Sequence, residues 1–243
     1  MKNQLKTKVI ETNKKINPER VIIFDSSSII NFTINGLHEE LRALKQLFPG
    51  KFIITKEVQA EVIDRPLEIK KFKLEALKIR QLVKEKILDT PESIGISSLE
   101  VGKRTERIMD VANSTFFSKG NAIKIIDDGE ASCLALSSIC EEKGIKNVLS
   151  VDERTIRVLG EKPENLLEIL QRKLHTDIKG NRENFAYFKG LKFIRSAELI
   201  FYAYNHGIIK EKSVDLLDAL LYSLKINGCS ISEEEIAEMK KLG

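Results

Sequence analysis

Short apolar runs alternate with amphipathic stretches along this chain, a pattern that predicts an α/β domain. The four apolar residues of 21–24 predict a buried strand, and 51–55 and 146–151 predict two more. Helical spacing marks the segments between them, among them 37–47 and 131–140. Strands that alternate with helices favour a parallel sheet.

Other parts of the pattern are weaker. Residues 122–126 and 190–194 are expected to be short strands, and 160–190 are polar without a clear period. From about 195 to 243, capping signals and apolar faces predict a helical extension that packs on the domain. We find no internal repeat and interpret residues 1–243 as a single domain.

Residues 65 to about 120 read as an insertion into that domain. Apolar positions recur at spacings of three and four in 66–88 and again in 99–117, and the stretch between them is rich in turn formers. This pattern predicts an inserted helical hairpin whose two arms pack against each other.

Acidic residues follow the predicted strands. Asp25 and Asp152 each come directly between an apolar strand and a helix, and Glu61 lies on the short helix after the second strand. Glu130 stands in the first turn of the helix that starts near 128. Capping of the following helix would by itself explain Asp25, a solvated helix face would explain Glu61, and a capping box would explain Asp127 with Glu130. A purely structural role therefore stays open for these acids.

Ligands of parallel sheets bind at the carboxyl ends of the strands. If Asp25, Glu61, Glu130 and Asp152 meet at that edge, each close pair repels by about 4 kcal/mol at 4 Å and an effective dielectric of 20. Hard cations such as Mg²⁺ or Mn²⁺ neutralise such oxygen clusters. They also bind phosphates and activate water, so we expect metal-assisted hydrolysis of phosphodiesters.

Charge adds a weak preference for a polyanionic partner. The net charge is only +4, but residues 65–124 hold thirteen Lys or Arg against eight Asp or Glu. Four lysines of the first arm are candidates for phosphate contacts, although a solubilising face explains them equally: Lys70, Lys71, Lys73 and Lys78.

Several other classes of protein are disfavoured. The three cysteines form no CxxC pair and the three histidines are isolated, so neither a disulfide framework nor a zinc site is indicated. Charged residues interrupt every apolar run well before membrane-spanning length. We therefore expect a soluble, cytoplasmic protein without a membrane partner.

Four segments resemble, in order, the acidic motifs of the PIN-domain ribonucleases, the superfamily of the VapC-like toxins. They are VIIFDSSSII, TKEVQAEVID, IDDGEASCLALS and VLSVDERTIRVLG, and they cover roughly residues 20–160. The tail, with GLKFIRSAELIFYAYNHGII and LLDALLYSLKINGCSIS, is similar to the end of a PIN branch.

The resemblance implies a PIN-like α/β/α sandwich with a parallel sheet that cleaves RNA endonucleolytically with Mg²⁺ or Mn²⁺. It implies that the metal ligands, direct or through water, are Asp25, Glu61, Glu130 and Asp152. Asp127 or Asp128 is an alternative to Glu130. Ser26 is expected to hold Asp25 or a metal-bound water, and Arg157 to approach a phosphate.

The insertion and the long tail depart from the small toxins. They weaken the expectation of toxin biology and of antitoxin pairing, and favour a structured or precursor RNA as substrate. An antitoxin-like or other protein partner and a homodimer stay open. Two alternatives stay in view. A non-catalytic PIN module would bind RNA or protein without cleavage, and a haloacid-dehalogenase-like phosphatase would need an aspartate at position 27, where this chain has serine.

Overall fold

A computed structural model describes residues 20–243 of the chain. The elements of its first half are β1 (Arg20–Phe24), α1 (Ser26–Ile34), α2 (His38–Leu47), β2 (Lys51–Ile53), α3 (Lys56–Gln59), a π-turn (Ala60–Asp64), α4 (Arg65–Leu67), α5 (Lys73–Lys84), a 3₁₀ turn (Pro91–Ile94), α6 (Ser98–Asn113), β3 (Phe116–Ser118) and β4 (Asn121–Ala122). The second half holds α7 (Asp128–Glu142), β5 (Lys146–Ser150), α8 (Arg154–Glu161), α9 (Pro163–Leu174), β6 (Ile178–Gly180), a 3₁₀ turn (Arg182–Phe188), β7 (Phe193–Ile194), α10 (Ser196–Asn205), α11 (Val214–Ile226) and α12 (Glu233–Leu242).

Four parallel strands form the central sheet, in the order β2–β1–β5–β7. Val21 lies opposite Lys51 on one side and Asn147 on the other. The four apolar residues of β1 are all buried, which is why this strand reads as a continuous apolar run. The prediction of an α/β fold with a parallel sheet is confirmed.

Helices cover both faces of this sheet. On one face α7 packs against β1 and β5. On the other, side chains of α2 and α10 line a cavity together with Ile22, Phe52 and Val148 of the sheet. This layering is compatible with an α/β/α sandwich.

The segment expected to be an inserted hairpin is built into the domain. Its arms are helical, as predicted, but α5 packs mainly on α1 and the π-turn, whereas α6 packs on α7. Between them, Asp89 pairs with the edge of β2: its N–H donates to the Phe52 carbonyl at 2.8 Å and its carbonyl accepts from the Ile54 N–H at 3.0 Å. The apolar seam of α5 therefore faces the domain instead of a partner arm.

A second, antiparallel sheet of order β4–β3–β6 lies outside the main one. The strand expected at 122–126 is wrong except for its first residue, and the predicted helix 99–117 ends earlier because Phe116 and Phe117 belong to β3. Phe116 packs against Phe185 of the second 3₁₀ turn, with ring centroids 5.9 Å apart. Phe116 and Phe117 continue the helical spacing of α6 in sequence, so the spacing of apolar residues alone could not separate them from that helix.

The helical tail is confirmed. The predicted capping box at the start of α12 is present, with Glu235 N–H donating to Ser232 Oγ at 3.1 Å and Ser232 N–H donating to the Glu235 carboxylate at 2.8 Å. Helix α11 packs between α10 and α12. None of the helices within residues 20–243 combines the length and the apolarity needed to cross a bilayer.

Candidate active site

Asp25 stands at the carboxyl end of β1 and begins α1. Its Oδ2 accepts from the Ser27 N–H at 3.1 Å and from Ser27 Oγ at 2.6 Å, and its own N–H donates to the Ser150 carbonyl at 3.0 Å. Only 3% of the residue is exposed. Burial raises the pKa of Asp25, the hydrogen bonds from Ser27 oppose that rise, and the negative charge of Glu61 adds to it.

Glu61 reaches the same place from the π-turn. Thr55 caps α3, because its side chain accepts a hydrogen bond from the Val58 N–H at 3.2 Å. Helix α3 continues directly into the π-turn, which carries Glu61. Its carboxylate accepts a hydrogen bond from Ser26 Oγ. Single π-turns within helices are frequent at functional sites.

Gly129 gives Glu61 the room it needs. A Cβ at position 129 would lie 2.5 Å from Glu61 Oε2 and 2.9 Å from Oε1, closer than real contacts allow. The glycine in the first turn of α7 therefore lets the Glu61 carboxylate lie directly against that helix.

Glu130 follows on the first turn of α7. Its Oε2 accepts from the Asp127 N–H at 3.0 Å, the half of the capping box that the sequence predicts. The pKa of Glu130 is raised to about 8, first by burial and then by the negative charges of Asp25 and Glu153, while the hydrogen bond from Asp127 opposes the rise.

The Cys133 thiol lies beneath these acids and shows that they converge. It is buried on α7 with its Sγ 3.7 Å from the Phe24 carbonyl at the end of β1. Its pKa is raised well above the usual value by burial and further by the negative charges of Asp25, Glu61 and Glu130. Ser26 follows Asp25 and donates to Glu61, and the Glu61 carboxylate lies against Gly129, which precedes Glu130. Three of the four predicted acids are therefore neighbours at the carboxyl edge of the sheet.

Asp152 does not join them. Its Oδ1 accepts from the Ser196 N–H at 2.8 Å, and its Oδ2 accepts from Ser196 Oγ at 2.7 Å and from Asn31 Nδ2 at 2.8 Å. The residue is 1% exposed and holds the start of α10. Its backbone is nevertheless next to the cluster, because its N–H donates to Ser27 Oγ at 3.1 Å. The strand-then-acid pattern locates the backbone of Asp152 correctly but not the direction of its carboxylate.

Glu153 is a residue that our reading of the sequence missed. It is exposed, caps α8, and lies near enough to Glu130 for its charge to raise the Glu130 pKa. Successive side chains of an extended segment point to opposite sides. Glu153 could have been predicted from the two consecutive acids after β5. If the Asp152 side chain points toward α10, the Glu153 side chain points to the carboxyl edge of the sheet.

Two supporting residues have other partners than expected. The Ser26 hydroxyl donates to Glu61, and Ser27 is the serine that holds Asp25, so the assignment of Ser26 to Asp25 needs correction. Arg157 Nη2 donates to Ser230 Oγ at 2.7 Å and to the Ser230 carbonyl at 3.1 Å. It therefore ties the loop before α12 to α8, and none of its hydrogen bonds goes to the acids.

The neighbours of Glu130 and Glu61 face elsewhere. Asp127 is exposed and pairs with Lys124, and Asp128 lines a separate cavity with Glu57 and residues of α6. Glu57, four residues before Glu61, does not line the cavity that Glu61 borders. Glu130 is therefore the better third acid of the alternatives that the sequence leaves open.

The four candidate RNA-binding lysines are all exposed: Lys70, Lys71, Lys73 and Lys78. Lys71 Nζ lies 5.0 Å from the centroid of the Phe72 ring. Lys78 is near His38 of α2, whose pKa is lowered by burial and then by the Lys78 charge. The first three lysines thus surround the turn before α5, and Lys78 faces α2.

The donor chemistry of the three acids fits a hard divalent cation, since carboxylate oxygens are the ligands that Mg²⁺ and Mn²⁺ prefer. Within residues 20–243, no three His, Cys, Asp or Glu side chains are grouped tightly enough to hold an ion as they stand. A bound ion therefore requires rotation of at least one carboxylate or bridging water.

Comparisons of this chain with protein-family models, with curated proteins and with solved structures found no match.

Proposed function

We propose that this protein is a PIN-like endoribonuclease that hydrolyses RNA phosphodiester bonds with Mg²⁺ or Mn²⁺. The observation that supports the proposal best is the proximity of Asp25, Glu61 and Glu130 at the carboxyl edge of a parallel sheet, where ligands of such sheets bind. Carboxylates that repel one another lower the stability of the fold, and a bound cation would offset this repulsion.

The residues of the chain divide the work in this proposal. Asp25, Glu61 and Glu130 hold the ion, which when bound supplies Lewis-acid activation of water and phosphate. Ser27 fixes the orientation of Asp25, and Ser26 fixes that of Glu61. Both serines lie in the first turn of α1, so one short segment aligns two of the three acids.

The test is cleavage of end-labelled RNA that contains both paired and unpaired stretches, in Mg²⁺, in Mn²⁺ and in EDTA. We expect cleavage in either metal and none in EDTA, and no cleavage by the Asp25→Asn variant. Asp110→Asn, which changes an exposed acid of α6, is the matched control and should cleave as the unmodified protein does. Cleavage by Asp25→Asn at the unmodified rate would contradict the proposal.

A second candidate is a PIN-like module that binds RNA without cleaving it. The full use of the Asp152 carboxylate in holding α10 favours this candidate, because a fourth acid is then missing from the cluster. Metal-independent binding of the same RNA with no product in Mg²⁺ or Mn²⁺ would decide for it.

A further inference from the structure

A cavity of about 330 Å³ opens directly beside the acidic cluster, between α1, the π-turn and α5. Glu61 borders both the cavity and the cluster. We call this cavity the base cleft. Its walls are mostly apolar: Ile30, Ile34, Val62, Ile69, Phe72 and Ile79.

The rim of the base cleft exposes apolar side chains to water. Phe72 is 44% exposed, and Ile69 and Ile34 are exposed to a similar degree. A flat aromatic ring at the mouth of an apolar cleft is the usual platform on which proteins stack unpaired bases, since every base offers a π-face.

Glu75 adds a carboxylate to the cleft, whose other polar lining residues are Thr33, Glu61 and Arg65. Its Oε2 is buried and has no hydrogen-bond partner within residues 20–243, and the side chain lines the cleft. An ionised carboxylate only accepts hydrogen bonds. The missing partner is therefore a group that carries N–H or O–H, such as the amino group of a nucleobase.

The charges around the cleft favour nucleic acid over an apolar peptide. Lys70 and Lys71 lie between the rim residues Ile69 and Phe72, and Lys73 opens α5. Lys71 contacts the edge of the cleft through the Phe72 ring. A ligand that enters here meets an apolar surface with an aromatic ring, the Glu75 carboxylate and the cation of Arg65, with the lysines of the same segment nearby. Together these suit a base attached to a phosphate backbone.

We propose that the base cleft binds an unpaired nucleobase of the substrate RNA, stacked on Phe72, with a preference for a base whose exocyclic amino group donates to Glu75. The proposal rests on the proposed function, because it places this base next to the phosphate at Asp25. It adds that the protein selects single-stranded RNA by its sequence at one position.

The test uses the full chain with Asp25→Asn in Mg²⁺, so that binding is measured without cleavage. The affinity probes are single-stranded hexanucleotides of C or of U with a fluorophore at the 5′ end, and stacking is followed with a separate U hexanucleotide that holds one 2-aminopurine, whose fluorescence is quenched on stacking. We expect quenching on binding and about tenfold weaker binding after Phe72→Ala, the usual effect of losing one base stack. Leu74→Ala, at an exposed residue outside the cleft, is the control and should leave the affinity unchanged.

Glu75→Met tests the amino group. It keeps the length and removes the acceptor, so the preference for the C over the U hexanucleotide should disappear while stacking on Phe72 persists. Unchanged affinity and quenching in Phe72→Ala would overturn the base cleft but leave the proposed nuclease intact. Absence of any RNA binding by the Asp25→Asn chain, together with absence of cleavage by the unmodified chain, would overturn both.

Discussion

Gly129 lies against the Glu61 carboxylate, so adding a methyl group at position 129 would displace Glu61. This substitution tests whether Glu61 serves the stability of the fold or the activity of the site. Its backbone is ordinary helix, and the atoms that a Cβ would meet are the ends of the flexible Glu61 side chain. Glycine is therefore required at position 129 to make room for the Glu61 side chain, and the backbone of α7 does not require it.

We expect Gly129→Ala to leave the free energy of unfolding unchanged or to raise it by up to about 1 kcal/mol, because alanine is the better helix former. RNA cleavage should fall sharply because the Glu61 carboxylate must move. Gly102→Ala, in α6, is the control, because a Cβ at this position meets open space. It should show the same gain in the free energy of unfolding and no loss of RNA cleavage. Thermal melting and cleavage of labelled RNA measure both; full activity in Gly129→Ala would contradict the role of Glu61.

The free energy of unfolding is predicted to fall by different amounts when Asp152 and Asp25 are each replaced with Asn. Asp152→Asn turns an acceptor into a donor against Ser196 and Asn31, which already donate, so stability should fall by about 1–3 kcal/mol. Asp25→Asn removes a repelling charge and should cost far less. Urea unfolding of the two variants makes the comparison; equal losses would mean that Asp25 serves the fold to the same degree as Asp152.

The raised pKa of Glu130 predicts how the free energy of unfolding depends on pH. Its folded-state pKa of about 8 lies above its ordinary value of 4.5, so the folded state binds the proton more tightly than the unfolded state. Its contribution to stability is complete below pH 4.5 and is lost as the pH rises through 8. In EDTA, the free energy of unfolding should therefore fall between pH 5 and 8, and Glu130→Gln should flatten that decline. A decline that Glu130→Gln leaves unchanged would assign it to other groups.

At the scale of elements, the turn before α5 and the first turn of α5 carry the cations that the sequence assigned to RNA. Lys70, Lys71 and Lys73 flank the rim residues Ile69 and Phe72 of the base cleft, whereas Lys78 lies near His38 of α2. The four lysines look equivalent in sequence, and only the packing of α5 on α1 separates them.

Replacing Lys70, Lys71 and Lys73 with Gln should weaken RNA binding and flatten its dependence on salt. Each phosphate contact contributes about 0.7 to the slope of log affinity against log salt for single strands, so three contacts change it by at most about 2. The triple replacement of Lys210, Lys212 and Lys241, all exposed elsewhere, should alter the slope little. Equal slopes in the two triple variants would show that only net charge matters.

Elements with strong local signals could be predicted, and those defined by tertiary contacts could not. The apolar run of β1, the serine cap of α11 and the capping box of α12 specify their own boundaries. The π-turn has no such signal, because 56–63 has the spacing of one plain helix. The path of α5 and α6 depends on which partner buries each seam, which the period of a sequence does not reveal.

The same division holds for the molecule as a whole. Asp25, Glu61 and Glu130 could be found because each follows a strand or opens a helix at one edge of a parallel sheet. The direction of Asp152 could not, since it depends on α10 arriving from over forty residues later to present Ser196. The exchange of roles between Ser26 and Ser27 likewise depends on where the π-turn carries Glu61.

The proposed site also predicts a property of the whole protein, its stabilisation by divalent ions. An ion that binds only the folded state adds about 2.7 kcal/mol at a hundred times its dissociation constant. For a chain of this size, 1 kcal/mol corresponds to a rise of about 2–4 °C in Tm. Melting in EDTA and in rising Mn²⁺ or Mg²⁺ should show this increase for the unmodified protein and for Asp110→Asn. It should be absent in Asp25→Asn and in Glu130→Gln, because each removes a charged ligand from the same site. An equal rise in all four proteins would place the ion elsewhere on the chain, and the three acids would then be left without the cation that makes their proximity useful.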